Sequence, residues 1–251
     1  MTLPQVEILR LDEVDSTNAE ARRLAEGGRL APVWITARRQ TQGRGRRGRA
    51  WSSEAGNLAA TLLAVTRRPP AEAAQVTFVA ALAAHELIAA FVDPSRVRIK
   101  WPNDVMIDER KACGILLESG AHPAGGLWLA VGIGVNLSHA PDEVERPAVA
   151  VADALRPDLA YAPSRDAALD VLAQAFDAWW ERWERYGFAP IRDAWTARAQ
   201  GIGGPAVARL GHETAQGVAE GLADDGSLRL RLADGSLRLI SAGDVFFGEG
   251  A

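Results

Sequence analysis

The sequence predicts an α+β protein, with a mixed sheet and its helices over residues 1–202 and a small antiparallel β-unit over residues 203–251. Three observations predict this. Strand-like and helix-like runs alternate through the first part, the pattern of a sheet covered by helices. From Gly203 the pattern changes to short β-prone runs broken by Asp-Gly turns. Hydrophobic residues make up 48% of the 251, ample for a core.

The elements follow from local chemistry. Val6–Leu11 reads as a strand, and Asp15 or Ser16 can cap a helix that runs to Glu26 and stops at Gly27-Gly28. Val33–Ala37 and Asn57–Val65 are apolar strands. Pro69-Pro70 opens a long helix that ends at Asp93-Pro94, with Val76, Val79, Ala80, Ala83 and Leu87 on one face at helical spacing. His85 within it is expected to be structural or superficial. Val97–Lys100, Val105–Ile107 and Ala112–Ser119 are strands, with a turn at Asp108–Arg110. Leu127–Val135 follows, where Gly132 and Gly134 permit close backbone approach.

Residues 137–163 are Pro- and Ala-rich and read as loop. Two helices, Ser164–Tyr186 and Ala189–Ala199, carry Trp179, Trp180, Trp183 and Trp195 at spacings typical of helix packing. Ala206–Leu210, Ala215–Leu222, Ser227–Leu232 and Ser236–Ser241 are short strands separated by Gly211-His212, Asp224-Asp225-Gly226 and Asp234-Gly235. That pattern predicts a small barrel of SH3-like size, with a domain boundary near residue 202.

The net charge is −4 and the sequence pI about 5.7. The single cysteine, Cys113, allows no intramolecular disulfide and fits a reducing compartment. No run approaches the length of a signal peptide or a membrane span, so a cytoplasmic protein without membrane partners is expected. Of 28 basic residues, Lys100 and Lys111 are the only lysines. In a chain this rich in arginine, a lysine marks a position suited to a compact ammonium.

Residues 38–51, RRQTQGRGRRGRAW, hold six arginines and three glycines, and no acidic residue lies between Glu26 and Glu54. Like charges repel and glycine raises the entropy lost on ordering, so the segment is expected to be mobile until an anion arrives. Guanidinium forks and glycine N–H groups both suit phosphate oxygens. GRGRRG matches G-x-G-x-x-G literally, but no strand enters its first glycine and no helix opens at its last, which argues against a dinucleotide site. No G-x-x-x-x-G-K-[ST] occurs. No His, Cys or carboxylate set has metal-ligand spacing, and no nucleophile–His pairing is evident. The chemistry indicated is a phosphate-bearing substrate held and stabilised by Lys and Arg.

DSTN at 15–18, QTQGRGRRGRAW at 40–51, KWPNDV at 100–105, RKACGIL at 110–116 and GIGVN at 132–136 together resemble the biotin–protein ligases in order and spacing. The resemblance covers nearly the whole chain. It implies a mixed-sheet, class II synthetase-like ligase domain followed by a small C-terminal SH3-like β-barrel. Larger bifunctional members carry an N-terminal helix-turn-helix. Here the motifs begin too early to leave room for one, so the monofunctional type is expected, as monomer or homodimer and without a nucleic-acid partner.

The family joins biotin to ATP, giving biotinyl-5′-AMP and pyrophosphate with Mg²⁺, and then transfers biotin to one lysine of a biotin carboxyl carrier protein. The resemblance implies biotin contacts at Ser16, Thr17, Gln40, Gly43, Arg44, Lys111, Gly114 and Gly132. Arg44, Arg46, Trp51, Asn103, Lys111 and Asn136 would face the nucleotide. Lys111 would sit between the biotin carboxylate and the α-phosphate. Arg46 would close over the adenylate, and Asp104 would receive the acceptor lysine. Cys113 occupies a place that needs a small side chain and has no evident chemical role. Lys100 and Trp101 each have plain packing as an alternative. Two rival readings are a lipoate–protein ligase, whose glycine triplet after paired arginines is replaced here by QTQGRG, and a non-enzymatic nucleic-acid binder using the basic loop.

Overall fold

The structure, a computed structural model, describes residues 6–141, 147–211 and 213–248. Seven strands form the first sheet: β1 (Glu7–Val14), β2 (Val33–Gln40), β3 (Leu58–Thr66), β4 (Val97–Lys100), β5 (Asp104–Ile107), β6 (Arg110–Ala121) and β7 (Leu127–Val135). Their order is β1-β2-β3-β7-β6-β5-β4. β1 and β2 are parallel because helix α1 (Thr17–Glu26) carries the chain back between them, whereas the other neighbours are antiparallel. The sheet is therefore mixed, as the sequence predicts.

Its two faces divide by the two-residue period of a strand. Leu58, Ala60, Leu62 and Ala64 of β3 and Leu129, Val131, Ile133 and Val135 of β7 join one large core, while Leu63 and Ala130 pack with Ala21 and Ala25 of α1. The large core is closed by α2 (Pro70–Ala73), α3 (Val76–Ala89), α4 (Arg165–Tyr186) and α5 (Ala189–Arg198). The long helix expected from Pro70 is thus split in two. α3 is also buried on more than the expected face: Phe78, Ala81, Leu82, Ala84 and Ile88 are buried too, because α4 and α5 cover its outer side. Burial of each large aliphatic side chain there stabilises the fold by about 2 kcal/mol.

Trp179, Trp180, Trp183 and Trp195 are all buried, as helix-packing residues should be. Trp180 meets Trp183 at 5.2 Å between ring centroids, and Trp195 meets Phe78 edge-on at 5.8 Å. His85 is buried as well. Desolvation, reinforced by Arg198, pushes its pKa down to about 4, so it is a neutral structural side chain.

The second sheet comprises β8 (Pro205–Leu210), β9 (Glu213–Leu222), β10 (Leu228–Arg231), β11 (Leu237–Ile240) and β12 (Asp244–Phe247), in the order β11-β10-β9-β8-β12. The Asp-Gly turns appear where expected. Gly226 and Gly235 take φ of 84° and 81°, while Asp225 and Asp234 accept from the N–H of Ser227 and Ser236. Sequence reading missed β12, which is short and follows Gly243. The SH3-like unit is an antiparallel sheet. Among the described residues no pairing joins β11 to β12, so closure into a barrel is not seen. The expected Gly211-His212 turn falls partly outside the described residues, as does part of the 137–163 loop, where Val151–Ala154 forms a short 3₁₀ turn. No helix among the described residues is long and apolar enough to cross a membrane.

The two sheets are joined by specific contacts. Trp101 Nε1 donates to Gly226 O at 3.2 Å, and Gln75 Nε2 donates to Asp224 O at 3.2 Å. Trp101 therefore packs, buried, and also pins the second sheet to the first.

The β5–β6 hairpin turns through two residues, Asp108 at φ 46° and Glu109 at φ 64°, which is the backbone of a tight primed turn. Asp108 is held by the Arg96 fork, with Nε at 3.1 Å from both carboxylate oxygens. Glu109 is exposed and carries a side chain where glycine is favoured. Glu109→Gly is expected to raise stability by roughly 0.5–1 kcal/mol. A urea melt tests it, and an unchanged or lower midpoint would mean that the added freedom of the unfolded chain cancels the relief.

Candidate active site

A cavity of about 500 Å³ lies on the α1 side of the first sheet, roofed by the arginine-rich segment and reached by residues 243–245 of the second sheet. The strand period places small and polar residues here, opposite the large core residues. Thr61 of β3, Gly114 of β6, and Gly132 and Gly134 of β7 share this face. Two of these glycines are required by close approach. A Cβ at Gly132 would collide with Asn18 Oδ1, and one at Gly134 would enter the Trp51 indole.

At one end of the cavity is a chain of hydrogen bonds. Gln40 Oε1 accepts from the Thr17 N–H at 2.8 Å and from Thr17 Oγ1 at 3.0 Å, while Gln40 Nε2 donates to Ser53 Oγ at 2.7 Å. Thr61 Oγ1 is placed to donate to Asn18 Oδ1 at 2.7 Å or to Thr17 Oγ1 at 2.8 Å. Asn18 Nδ2 donates to Glu118 Oε2 at 2.8 Å and to Leu116 O at 3.2 Å. Thr17, Asn18 and Thr61 are buried, so each bond resists exchange with water. Ser16 stands at the N-cap position of α1, but its hydroxyl makes no capping bond and lines the cavity instead. The expected capping role is therefore not filled by that side chain. Asp15 accepts the Ser16 N–H at 2.7 Å, and the Arg23 guanidinium beside it holds its carboxyl down at about 2.

At the other end are the cations. Lys111 Nζ lies 2.7 Å from Asp104 Oδ1 and 5.5 Å from the centre of the Trp51 ring. The backbone of Lys111 is gripped on both sides: its N–H donates to Pro147 O at 2.8 Å, and its carbonyl accepts from Val149 at 3.1 Å. Asn136 Nδ2 adds weaker contacts to Lys111 O and Val149 O, both at 3.4 Å. Asn103 Nδ2 donates to Ile115 O at 2.6 Å, and its Oδ1 accepts from Arg46 Nη1 at 3.3 Å. Arg46 is half-buried, and both desolvation and neighbouring Arg47 push its pKa down, although a guanidinium stays charged.

The structure thus brings together most of the residues expected from sequence. Ser16, Thr17, Gln40, Arg44, Arg46, Trp51, Asn103, Asp104, Lys111, Gly114, Gly132 and Asn136 all line the cavity. Gly43 does not. It closes the base of the loop, where its carbonyl accepts from the Trp51 N–H at 2.9 Å and a Cβ would come within 2.5 Å of Trp51 O. Lys100 lies outside the wall, with Nζ 5.8 Å from the Phe246 ring centre, in keeping with a packing role. Cys113 is fully buried in the core, where desolvation raises its thiol pKa far above the ordinary value.

The loop corrects the expectation of unrelieved like-charge repulsion. Arg44 pairs with Glu118 at 3.2 Å, and Arg47 pairs with Asp244 at 2.7 Å. Those acids lie far along the chain, so no local charge count reveals them. The segment forms a narrow hairpin, with Arg44 bridged to Ala50. Sequence reading also gave no role to Asn18, Thr61, Glu118 or Asp244. Asn18 and Thr61 had a signal, one inside DSTN and one a hydroxyl among the apolar residues of β3. Glu118 and Asp244 had none.

Comparison with known proteins agrees with this geometry. Residues 14–138 match the model of the Biotin/lipoate A/B protein ligase family, and residues 196–248 match that of the Biotin protein ligase C terminal domain. A biotin–[acetyl-CoA-carboxylase] ligase of Paracoccus denitrificans is 45% identical over 240 residues, covering 95% of this chain and 99% of that protein. Its counterpart from Mycobacterium tuberculosis is 32% identical, covering 93% of this chain and 86% of its own. Among solved structures, the biotin protein ligase from Aquifex aeolicus in complex with biotin and ATP superposes with a TM-score of 0.81 at 25% identity, covering 96% of this chain and 99% of that one. With both matched regions in order and near-complete coverage of the Paracoccus relative, the chain belongs to the biotin protein ligases of the Biotin/lipoate A/B protein ligase family.

Proposed function

We propose that this chain activates biotin with ATP to biotinyl-5′-AMP and then transfers the biotinyl group to a lysine of a biotin carboxyl carrier protein. The observation that carries this reading is the two-ended cavity, with a hydrogen-bonding end at Thr17, Asn18 and Gln40, a cationic end at Lys111 and Arg46, and Arg44 in the roof beside Glu118. Such a cavity suits a molecule with a neutral polar head and an anionic tail. The working division is a ligase domain over residues 1–202 and a C-terminal domain over residues 203–251.

In the first step a biotin carboxylate oxygen attacks the α-phosphorus, the bond to the β-phosphate breaks, and pyrophosphate leaves. Two anions must meet, so cations must screen them. Lys111 is the group suited to this. Its ammonium exchanges Asp104 for a carboxylate oxygen and an α-phosphate oxygen, while Arg44 and Arg46 take phosphate oxygens. Trp51 packs against the adenylate, with Asn103 holding Arg46 and Asn136 steadying Lys111. ATP enters as its Mg²⁺ complex. Among the described residues no group of three or more His, Cys, Asp or Glu could hold a metal; an Mg²⁺ carried by ATP would supply charge neutralisation at the phosphates as the two anions meet. In the second step, Asp104, released from Lys111, accepts a proton from the acceptor amine as it attacks the acyl carbon and AMP leaves.

The direct test is incubation of the purified chain with biotin, ATP, Mg²⁺ and a carrier domain, with lipoate as competitor. Pyrophosphate and a biotinylated carrier are expected. A lipoylated carrier, or no product from folded protein, would sink the proposal. A second test concerns the single lysine of the cavity. Lys111→Arg is expected to fold normally yet lose roughly 10²-fold or more in single-turnover pyrophosphate release, on the scale of about 3 kcal/mol for one lost oxyanion donor. The bulkier fork must fit between Asp104 and Trp51, and full activity would show that any cation suffices. A third concerns the loop. Arg46→Gly removes the bond to Asn103 and loosens the roof, so adenylate should still form but escape and label lysines indiscriminately. Unchanged adenylate retention would refute a clamping role for Arg46.

A further inference from the structure

The four arginines that build the roof of the cavity divide their contacts between the two sheets. Arg44 and Arg46 turn to the first sheet, meeting Glu118 and Asn103. Arg47 and Arg49 both turn to one carboxylate of the second. Arg47 Nη1 lies 2.7 Å from Asp244 Oδ2, and Arg49 Nη2 lies 3.1 Å from the same oxygen and 3.3 Å from Oδ1. Asp244 opens β12 and lines the cavity together with Gly243 and Val245. Its strand is firmly seated: Asp244 pairs with Arg209 of β8, Val245 is buried, and Phe246 lies under Arg209 at 4.5 Å. The other end of the contact is strained, because Arg47 has φ 58°, a left-handed backbone that a non-glycine residue keeps only when something holds it.

We propose that Asp244 is a positioning residue for the ligase reaction: a tether from the C-terminal sheet that holds the arginine loop closed over the cavity and so retains the adenylate. This rests on the function proposed above. Arg47 and Arg49 then serve as the anchor points of the roof, not as phosphate ligands, which leaves for the substrate Arg46, whose partner is the uncharged Asn103, and Arg44, once it exchanges Glu118 for a phosphate oxygen. A roof matters here because the mixed anhydride is destroyed by water and acylates any amine it reaches. The tether also gives the second sheet a share in the chemistry, since the roof opens more readily without it.

The opposite arrangement, in which Asp244 competes with a polyphosphate for the two arginines, gives effects of opposite sign. Asp244→Asn keeps the shape and removes the charge. In the full chain without substrate, trypsin is expected to cut within residues 44–49 roughly three- to tenfold faster in this variant, the range for losing two partly exposed ion pairs. Release of preformed adenylate in a chase should rise by a similar factor, with Asp244→Glu falling between the two. The paired variant Arg47→Gln with Arg49→Gln should release adenylate at the rate of Asp244→Asn, and combining all three changes should add nothing further. Thermal unfolding is the folding control, and the arginine variant supplies the answer if the Asp244 variants unfold. Equal trypsin and release rates in parent and variants would overturn the tether, and so would tighter ATP binding by Asp244→Asn. Should the parent chain make no pyrophosphate, the proposed function fails, while the substrate-free trypsin comparison still decides the tether.

Discussion

The ion pair between Lys111 and Asp104, at 2.7 Å on the floor of the cavity, is the interaction that the surrounding structure is built to hold. The Asp104 side chain is about 10% exposed and that of Lys111 27%, so neither charge is fully hydrated and each needs the other. Both come from one hairpin. Asp104 begins β5 and Lys111 lies near the start of β6, so the tight turn at Asp108 and Glu109 sets their spacing. The residues after β7 then return beside β6 and bond the backbone of Lys111 on both sides. A lysine held by its main chain keeps a mobile ammonium at a defined point, which is what an exchange of anionic partners requires.

The cavity exists because one sheet has two chemically different faces. Leu58 and Leu62 of β3 and Leu129, Val131, Ile133 and Val135 of β7 pack into the large core, whereas Ala59 and Thr61 of β3 and Gly132 and Gly134 of β7, on the opposite face, are small or hydroxylated where the cavity lies. The floor can therefore lie close to Trp51 and Asn18 without disturbing the core behind it. Asn18 and Thr17 reach the floor from the first turn of α1, so the parallel crossover from β1 to β2 brings the hydrogen-bonding end of the site to the glycines of β7. Gln40, at the end of β2, completes that end and connects it through Ser53 to the far side of the loop.

Charge in this protein is arranged over long distances. The run of arginines contains no acid, yet Glu118 and Asp244 lie against it in the fold. The same holds for packing. Trp101 is tied to Gly226, and Arg192 meets Asp224 at 2.5 Å, so the small second sheet is locked to the helical layer of the first. The second sheet is therefore placed to take part in the site.

The sequence by itself determined the α+β class, nearly every strand and helix, the Asp-Gly turns, the burial of the tryptophans and the motifs that carry the family resemblance. Those features depend on neighbours in the chain: a period of two or 3.6 residues, a proline or glycine at a boundary, or a short run of characteristic side chains. Only the tertiary structure decided that α3 is buried all round, that β1 and β2 run parallel, that Ser16 faces the cavity without capping α1, that Gly43 lies outside the wall, and that a further strand, β12, pairs with β8. It also decided the partners of the arginine loop. Arg47 and Asp244 are separated by 197 residues, and their meeting depends on how two sheets dock, a geometry that no local pattern encodes.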